Sequence, residues 1–217
     1  MNYGIQGTKM LMKPITNLFL DDFFFIGEGR NRKCYEHPEY KHLCIKISSK
    51  KGQRSAQREV NYFKRLHKRG KSFEMISDFK GTIKTNLGEG YLYELVRDYD
   101  GSISKNLEQY LSSDEKIICK ILTLIEQLRH YLIKEDILFS DLAIDNILVQ
   151  QLNKDDLKLI VIDGIGDNNQ IPFLEYFKPL GIKRSIRKWD EFKATIAKDF
   201  PKIAEKIAPF SSKLEVL

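Results

Sequence analysis

Apolar and polar positions along the first half of the chain follow a pattern typical of short β-strands. Residues 23–26, 34–35 and 43–47 are apolar stretches bounded by turn-forming or charged residues, and each predicts a strand. Residues 53–68 instead place apolar side chains at helical spacing and predict an amphipathic helix. Residues 79–85 and 90–96 alternate around a polar turn at 86–89, which predicts a hairpin. The predicted order is therefore strand, strand, strand, helix, strand, strand.

The second half of the chain has the pattern of a mainly helical region. Residues 107–111 predict a short helix, and S-S-D-E at 112–115 is a capping box that opens a longer one. A hairpin follows at 147–149 and 157–162, and residues 173–177 and 189–207 predict two short helices. The basic cluster at 183–188 between them is interpreted as a solvated helix face. The chain thus predicts an α+β fold, with residues 1–20 as an extension, 21–97 rich in strands and 98–217 mainly helical.

Composition narrows the class of protein only moderately. The 217 residues are 42% hydrophobic and 30% charged, which is ordinary for a globular protein. No apolar run approaches the roughly 20 residues of a transmembrane helix, and no secretory signal is recognisable. The odd number of cysteines without metal-like spacing predicts reduced thiols and a cytoplasmic location. The net charge of +6 is compatible with nucleotides, nucleic acid or peripheral contact with an anionic membrane.

Asp141, Asn146 and Asp163 form the constellation that carries a chemical hypothesis. Asp141 and Asn146 lie in one predicted loop after the long helix, and Asp163 ends the next apolar run. Phosphoryl transfer from a nucleotide uses one carboxylate to orient the attacking hydroxyl, with an amide oxygen and a second carboxylate holding magnesium. The alternative is structural, because Asp and Asn are also common in turns. The hypothesis therefore requires a phosphate-binding region upstream.

Four upstream residues fit that requirement. Gly27 and Gly29 lie in a predicted turn between strands, where backbone N–H groups could contact phosphates, although a plain β-turn is an equal alternative. Lys46 interrupts an apolar strand, as a phosphate-binding lysine does, or as an exposed lysine on an edge strand would. Glu59 is the only acid in a basic helix, and we expect it to pair with Lys46 rather than with local cations.

A family resemblance follows from these residues. The segment G-E-G-R-N-R-K-C-Y-E-H-P-E running on to C-I-K-I, together with G-Y-L-Y-E and D-N-I-L-V, resembles the YrbL family of small bacterial kinase-like proteins of the PhoP regulatory network. The similarity covers about residues 23–200. The broader resemblance is to the protein-kinase-like superfamily. It implies a two-lobed fold with a small antiparallel five-stranded N-terminal lobe carrying one helix, and a reduced, mainly helical C-terminal lobe.

The resemblance also implies ATP and Mg²⁺ as cofactors and assigns a role to each candidate residue. Asp141, Lys46 and Glu59 would be catalytic, with Asp141 as the base. Asn146 and Asp163 would bind the metal. Nucleotide contacts would come from Gly27, Gly29, Lys46, Glu94 and Val96.

Several positions depart from the protein-kinase pattern. Phe139 and Ser140 stand where that pattern has histidine and arginine, Ala143 replaces a lysine, and D-G-I-G replaces D-F-G. No A-P-E motif is present, and the region after Asp163 is short. We therefore expect a phosphotransferase with an alcohol group as acceptor, acting on a small molecule or glycan rather than a folded protein. The alternative is a catalytically silent nucleotide-binding regulator. Specific nucleic-acid binding is not expected, because no recognised motif supports it.

Overall fold

An antiparallel sheet of five strands forms the first half of the computed structural model, which describes residues 17–140, 142–166 and 177–207. The strands lie in the order β1-β2-β3-β5-β4. Their bounds are Phe25–Glu28 for β1, Arg32–Glu36 for β2, Leu43–Ser48 for β3, Phe79–Thr85 for β4 and Gly88–Glu94 for β5. The helix α1, Gln53–Lys68, joins β3 to β4 and packs on one face of this sheet.

The second half combines a small sheet with the remaining helices. Three antiparallel strands lie in the order β6-β7-β8, and they are Lys105–Asn106, Ile147–Gln151 and Leu157–Val161. The helices are α2 at Leu107–Leu111, α3 at Glu115–Lys134, α4 at Lys178–Asp199 and α5 at Pro201–Ile207. In the described part of the chain, no helix combines the length and the hydrophobicity that a membrane span requires.

The five-stranded sheet has two different faces because successive side chains of a strand point to opposite sides. Leu43 and Ile45 of β3 join a small apolar cluster on the outer face, together with Leu20, Tyr35 and Leu92. The intervening side chains of β3 face α1. That inner face belongs to the larger core, which also takes buried residues from α3, β7, β8 and α4. One continuous core therefore joins both halves of the molecule.

Backbone hydrogen bonds fix the two sheets relative to each other. The segment before β4 pairs with the end of β8, because Val161 N donates to Met75 O at 2.9 Å and Ser77 N donates to Val161 O at 2.8 Å. Leu138, just after α3, donates its N–H to the hydroxyl of Tyr62 on α1 at 2.7 Å. The end of β8, where Asp163 follows, is thus held close to α1 and to the loop after α3.

The mixed α+β class and the antiparallel five-stranded sheet are confirmed. Helices α1 and α2 have the predicted bounds. Helix α3 begins at Glu115 after its cap Asp114, which accepts from Ile117 N at 3.0 Å, and so starts two residues later than a capping box with Ser112 as the cap predicts. Residues 22–24 form a 3₁₀ turn capped by Asp21 instead of the start of a strand. The basic cluster at 183–188 lies within α4 rather than before a helix.

Two further predictions concern the ends of segments. Residues 17–20 of the predicted extension pack against the sheet, where Leu18 and Leu20 are buried and Leu18 N donates to Lys84 O at 2.8 Å. The second hairpin strand begins at Gly88 and not at 90, because Thr85 Oγ1 accepts from Leu87 N and tightens the turn. Residues 1–16, Asp141, residues 173–176 of a predicted helix and residues 208–217 lie outside the described residues.

Candidate functional site

A cleft of about 380 Å³ opens between the β1–β2 turn, α1 and the loops that flank β7 and β8. Four residues predicted from the sequence line it, namely Gly29, Glu59, Asn146 and Asp163. Arginine side chains line it as well, and these are Arg30, Arg32 and Arg58. The cleft therefore gathers acids, an amide and guanidinium groups from segments that are far apart in the chain.

The glycine-containing turn between β1 and β2 forms one wall. Gly29 N donates to Arg32 O at 2.9 Å and closes the turn. Asn31 O accepts from Ser49 N at 2.8 Å, which holds the turn against the segment before α1. Gly52 is required at that contact, because a Cβ atom there would lie 2.9 Å from Asn31 O. The close approach of two backbones therefore sets the position of the turn above the cleft.

Lys46 lies beneath the cleft on the inner face of β3. Its side chain is only 7% exposed, and its ammonium group donates to Ile162 O, immediately before Asp163. The ammonium nitrogen also lies 4.5 Å from the centre of the Tyr93 ring, close enough for a cation–π interaction. The expected ion pair with Glu59 is not formed among the described contacts. Lys46 is directed at the end of β8 instead.

Glu59 of α1 is occupied by two other side chains. Its Oε2 accepts from Arg32 at 2.6 Å, and its Oε1 accepts from the Tyr93 hydroxyl at 2.7 Å. Burial raises the pKa of the Tyr93 hydroxyl, and the neighbouring Glu59 carboxylate raises it further. Burial alone would lower the pKa of Arg32, but the carboxylates of Glu59 and Asp163 outweigh burial and raise it. The guanidinium of Arg32 is therefore the cation that pairs with the glutamate of α1.

Asp163 is directed into the cleft from the end of β8. Its side chain is 35% exposed, and its Oδ1 accepts from Arg32 at 3.3 Å and from Gly164 N at 2.7 Å. Burial would raise the pKa of this carboxyl, but the positive charges of Lys46 and Arg32 outweigh burial and hold the pKa below its usual range. Asp163 is thus an ionised carboxylate at neutral pH, as a metal ligand must be.

Asn146 lies beside Asp163 because their backbones are linked. Ile162 N donates to Asn146 O at 2.8 Å, and Asn146 N donates to Ala143 O at 3.0 Å in a 3₁₀ turn. On the other side, Ser140 N donates to Gly164 O at 2.9 Å. These bonds fix the residues on both sides of Asp141, which itself lies outside the described residues. Ser140, the residue before Asp141, is therefore anchored next to Gly164.

The donor set suits a hard divalent cation such as Mg²⁺. The described residues contain no group of three or more His, Cys, Asp or Glu side chains arranged to hold a metal by themselves. Mg²⁺ is commonly bound through one or two carboxylates together with substrate phosphates and water. One amide oxygen from Asn146 and one carboxylate from Asp163, both lining the cleft, fit a phosphate-bound Mg²⁺ rather than an ion enclosed by protein.

The remaining predicted nucleotide contacts do not line this cleft. Glu94 and Val96 line a second cavity of about 240 Å³, which shares no lining residue with the first. The Glu94 carboxylate pairs with Lys80 at 2.6 Å, and Glu94 O accepts from Ser77 Oγ at 2.8 Å. Gly27 pairs with Cys34 within the β1–β2 ladder. The structure therefore places Glu94 and Val96 in a different cavity, whereas Gly27 lies in the neighbouring ladder without lining the cleft.

Comparison with known proteins places the chain in a family. The model of the family described as PhoP regulatory network protein YrbL matches residues 18–197. The chain belongs to this YrbL family. Two relatives, each named Uncharacterized protein YrbL, come from Escherichia coli (strain K12) and Shigella flexneri, and both are 33% identical to the chain over 172 residues. The alignments cover 77% of this chain and 82% of each relative. Every residue that lines the cleft lies inside the part matched to the YrbL family.

Arg32 and Tyr93, which both contact Glu59, are two site residues that sequence reasoning missed. Arg32 was interpreted only as part of a basic turn, and Tyr93 only as part of an alternating strand. Arg32 stands two positions before Cys34, which pairs with Lys46 in the β2–β3 register. The two-residue period of β2 thus places Arg32 and Lys46 on the same face of the sheet. The alternation of side chains along β2 could have indicated that Arg32 lies near Lys46, but only if the register between β2 and β3 had been known.

Proposed function

We propose that the protein is an ATP- and Mg²⁺-dependent phosphotransferase of the protein-kinase-like class, acting on the alcohol group of a small molecule or glycan. The observation that carries this proposal is the meeting of Gly29, Glu59, Asn146 and Asp163 around one cleft. Their order along the chain follows the order of parts in nucleotide phosphotransferases. Structural turn residues would have no reason to converge in this way.

Each wall of the cleft has a role in this proposal. The turn at Gly29 would cover the phosphates, and Asn146 with Asp163 would hold Mg²⁺. When bound, the ion would neutralise charge on the phosphates. Lys46 would hold Ile162, and so Asp163, in position through its bond to Ile162 O. Asp141 would accept the hydrogen bond of the acceptor hydroxyl and orient it.

The size of the cleft supports a small acceptor. A volume of about 380 Å³ is in the range of small-molecule sites. The lysine that protein-serine/threonine kinases use near their catalytic Asp is Ala143 here, and Ala143 lines the cleft. Both observations favour a small molecule or a glycan end over a folded protein as the acceptor.

A second candidate function is a catalytically silent nucleotide-binding regulator. The observation that favours it is the engagement of Glu59 and Asp163 by Arg32, which leaves Lys46 without its expected partner on α1. The description of the YrbL family as a PhoP regulatory network protein is compatible with such a role. Under this alternative the cleft would bind a nucleotide without transferring phosphate.

Binding of ATP is the first test of the proposal. The wild type should show a thermal shift with ATP that increases when Mg²⁺ is added, and Asp163→Ala should abolish the Mg²⁺-dependent part, because the metal loses the carboxylate proposed to bind it. Asp155→Ala is the matched control, since Asp155 is an exposed acid in the β7–β8 turn outside the cleft. An unchanged Mg²⁺-dependent shift in Asp163→Ala would make Asp163 a structural residue.

Transfer of phosphate separates the two candidates. The protein is incubated with labelled ATP, Mg²⁺ and cell extract, and labelled metabolites or glycans are sought. Asp141→Asn should bind ATP as the wild type does but lose about 10²–10⁴ in transfer rate, as expected for loss of a general base. Asp155→Asn should transfer normally. Saturable ATP binding without any labelled product would favour the silent regulator.

A further inference from the structure

Arg32 joins three parts of the cleft through its backbone and its side chain. Its backbone carbonyl closes the glycine turn by accepting from Gly29 N at 2.9 Å. Its guanidinium donates to Glu59 on α1 at 2.6 Å and to Asp163 after β8 at 3.3 Å. The arginine side chain is only 14% exposed, so it is committed to the cleft. The residue thus touches the turn proposed to cover phosphates and the carboxylate proposed to bind metal.

The two carboxylate contacts of Arg32 differ in strength. The contact with Glu59 has the short distance of a charge-assisted hydrogen bond, whereas the contact with Asp163 is longer and uses the other terminal nitrogen. A guanidinium carries five N–H donors in a planar fork and can bind two anions at once. Arg32 can therefore remain anchored on Glu59 while it exchanges Asp163 for another anion.

Charge balance gives a reason for that exchange. In the structure, the cations Arg32 and Lys46 offset the carboxylates Glu59 and Asp163. A nucleotide–metal complex brings a divalent cation that competes for Asp163 and phosphates that attract the guanidinium. A partly buried arginine left without a second anion would be costly. The phosphates supply such an anion at the same end of the cleft, beneath the glycine turn.

We propose that Arg32 is a phosphate-binding residue that releases Asp163 to the metal of an incoming nucleoside triphosphate and then binds a phosphate oxygen. This inference rests on the proposed function, because it assumes a nucleotide in the cleft. It also predicts opposite effects on two ligands. Without Arg32, the triphosphate loses a cationic partner, whereas a free metal ion gains an Asp163 that no longer has a competitor.

The experiment compares Arg32→Gln with the wild type in two separate titrations. The affinity for ATP is measured without metal, in the presence of a chelator. The affinity for Mn²⁺ is measured without nucleotide, from the electron paramagnetic resonance signal of the unbound Mn²⁺. Arg32→Gln should weaken ATP about 10-fold or more, as expected for a lost charge-assisted hydrogen bond. The same variant should bind Mn²⁺ about 3-fold more tightly or better, as expected for a weak competing ion pair.

Two control variants keep the result interpretable. Lys33→Gln removes one positive charge from the same strand but outside the cleft. The side chain of Lys33 is 58% exposed, and its Nζ lies 3.8 Å from Oε2 of Glu28. It should change neither affinity by more than about 2-fold, because exposed charges are screened. Arg32→Lys keeps a cation if Arg32→Gln does not fold. It should give an intermediate ATP affinity, since an ammonium cannot hold Glu59 and a phosphate with the same planar fork.

The outcomes distinguish the inference from the proposed function. Equal Mn²⁺ affinity in wild type and Arg32→Gln, including no binding by either, would overturn the release of Asp163. Equal ATP affinity in the two proteins would overturn the phosphate contact while leaving nucleotide binding intact. No binding of metal-free ATP by the wild type would overturn the phosphate contact alone, whereas no binding of MgATP by the wild type would overturn the proposed function as well. Tighter Mn²⁺ binding in Arg32→Gln would still support competition between Arg32 and a metal ion for Asp163.

Discussion

The two faces of the five-stranded sheet are built from the same strands, yet they have different tasks. Ile45 and Lys46 are neighbours on β3, and both are buried, at 0% and 7% exposure. Ile45 packs among Leu43, Tyr35 and Leu92 on the outer face. Lys46 on the inner face contacts Ile162 O and the ring of Tyr93. Both faces therefore bury their side chains. They differ in what the buried side chain contacts, which is other apolar side chains for Ile45 and a carbonyl oxygen and an aromatic ring for Lys46.

This comparison shows how the outer face of a small sheet can contribute mainly to stability while its inner face holds the charged groups of the candidate site. An apolar side chain gains free energy from burial alone and needs only a close-packed neighbourhood. A buried charge instead costs free energy unless other groups pair with it. The inner face meets that requirement with Arg32, Glu59 and Asp163, which at the same time line the cleft. The stabilising partners of the buried charges are thus also the candidate functional groups.

Removing a side chain from the outer face should give the largest effect on folding. Ile45→Ala should lower the free energy of unfolding by about 2–5 kcal/mol, because Ile45 is fully buried and leaves a cavity. Chemical denaturation measures this loss. The affinity of the folded variant for ATP, measured well below its melting temperature, should stay within about 2-fold of wild type, because none of the described residues of the outer-face cluster lines the cleft. A parallel collapse of affinity would show that the faces are not independent.

The neighbouring inner-face substitution should reverse this pattern. Lys46→Met keeps the apolar stem, and loss of its hydrogen bond is partly offset by removal of a buried charge, so the free energy of unfolding should change by about 1 kcal/mol or less. The affinity for MgATP should fall, because Asp163 loses a nearby cation and Ile162 its anchor. Both quantities are measured beside Lys33→Met, which changes an exposed lysine on β2. A large loss of stability with normal MgATP affinity would make Lys46 a structural residue.

The same contrast explains which parts of the molecule the sequence could predict. Helix α1 has the predicted bounds because its apolar side chains repeat over sixteen residues, and long periodic patterns are the most reliable signals. Asn146 and Asp163 were found as neighbours because a short hairpin separates them. Lys46 was predicted as the partner of Glu59, whereas the structure pairs Glu59 with Arg32. Arg32 and Lys46 both face α1, and their order in the chain does not tell which cation reaches the carboxylate.

Glu94 and Val96 illustrate a second limit of sequence reasoning. They lie at the end of the predicted hairpin, at the position expected for nucleotide contacts, but they line a cavity separate from the cleft. Lys80 engages the Glu94 side chain, and Ser104 N donates to Val96 O at 3.1 Å. Those contacts come from β4 and from the segment before β6. The local sequence pattern predicts where a strand lies along the chain. The direction of its polar groups depends on contacts with residues that are distant in the sequence.

The smallest predicted effect is the pH dependence of the unfolding free energy that Asp163 contributes beside the inner face. The pKa of Asp163 lies below its usual range because Lys46 and Arg32 outweigh the effect of burial. A carboxyl with a lowered pKa in the folded state stabilises the fold above its ordinary pKa, and that contribution is lost as the pH falls through the folded-state pKa.

Asp163→Asn removes this titration. The difference in unfolding free energy between wild type and Asp163→Asn, measured in metal-free buffer, should therefore shrink from neutral pH to below about pH 4. The change should stay below about 1 kcal/mol, because Asp163 is partly exposed and its ion pairs are screened by solvent. Ile45→Ala, whose outer-face cluster contains no carboxylate and no histidine, should differ from wild type by the same amount across this acid range. A pH-independent difference for Asp163→Asn would mean that Arg32 and Lys46 do not act on this carboxylate.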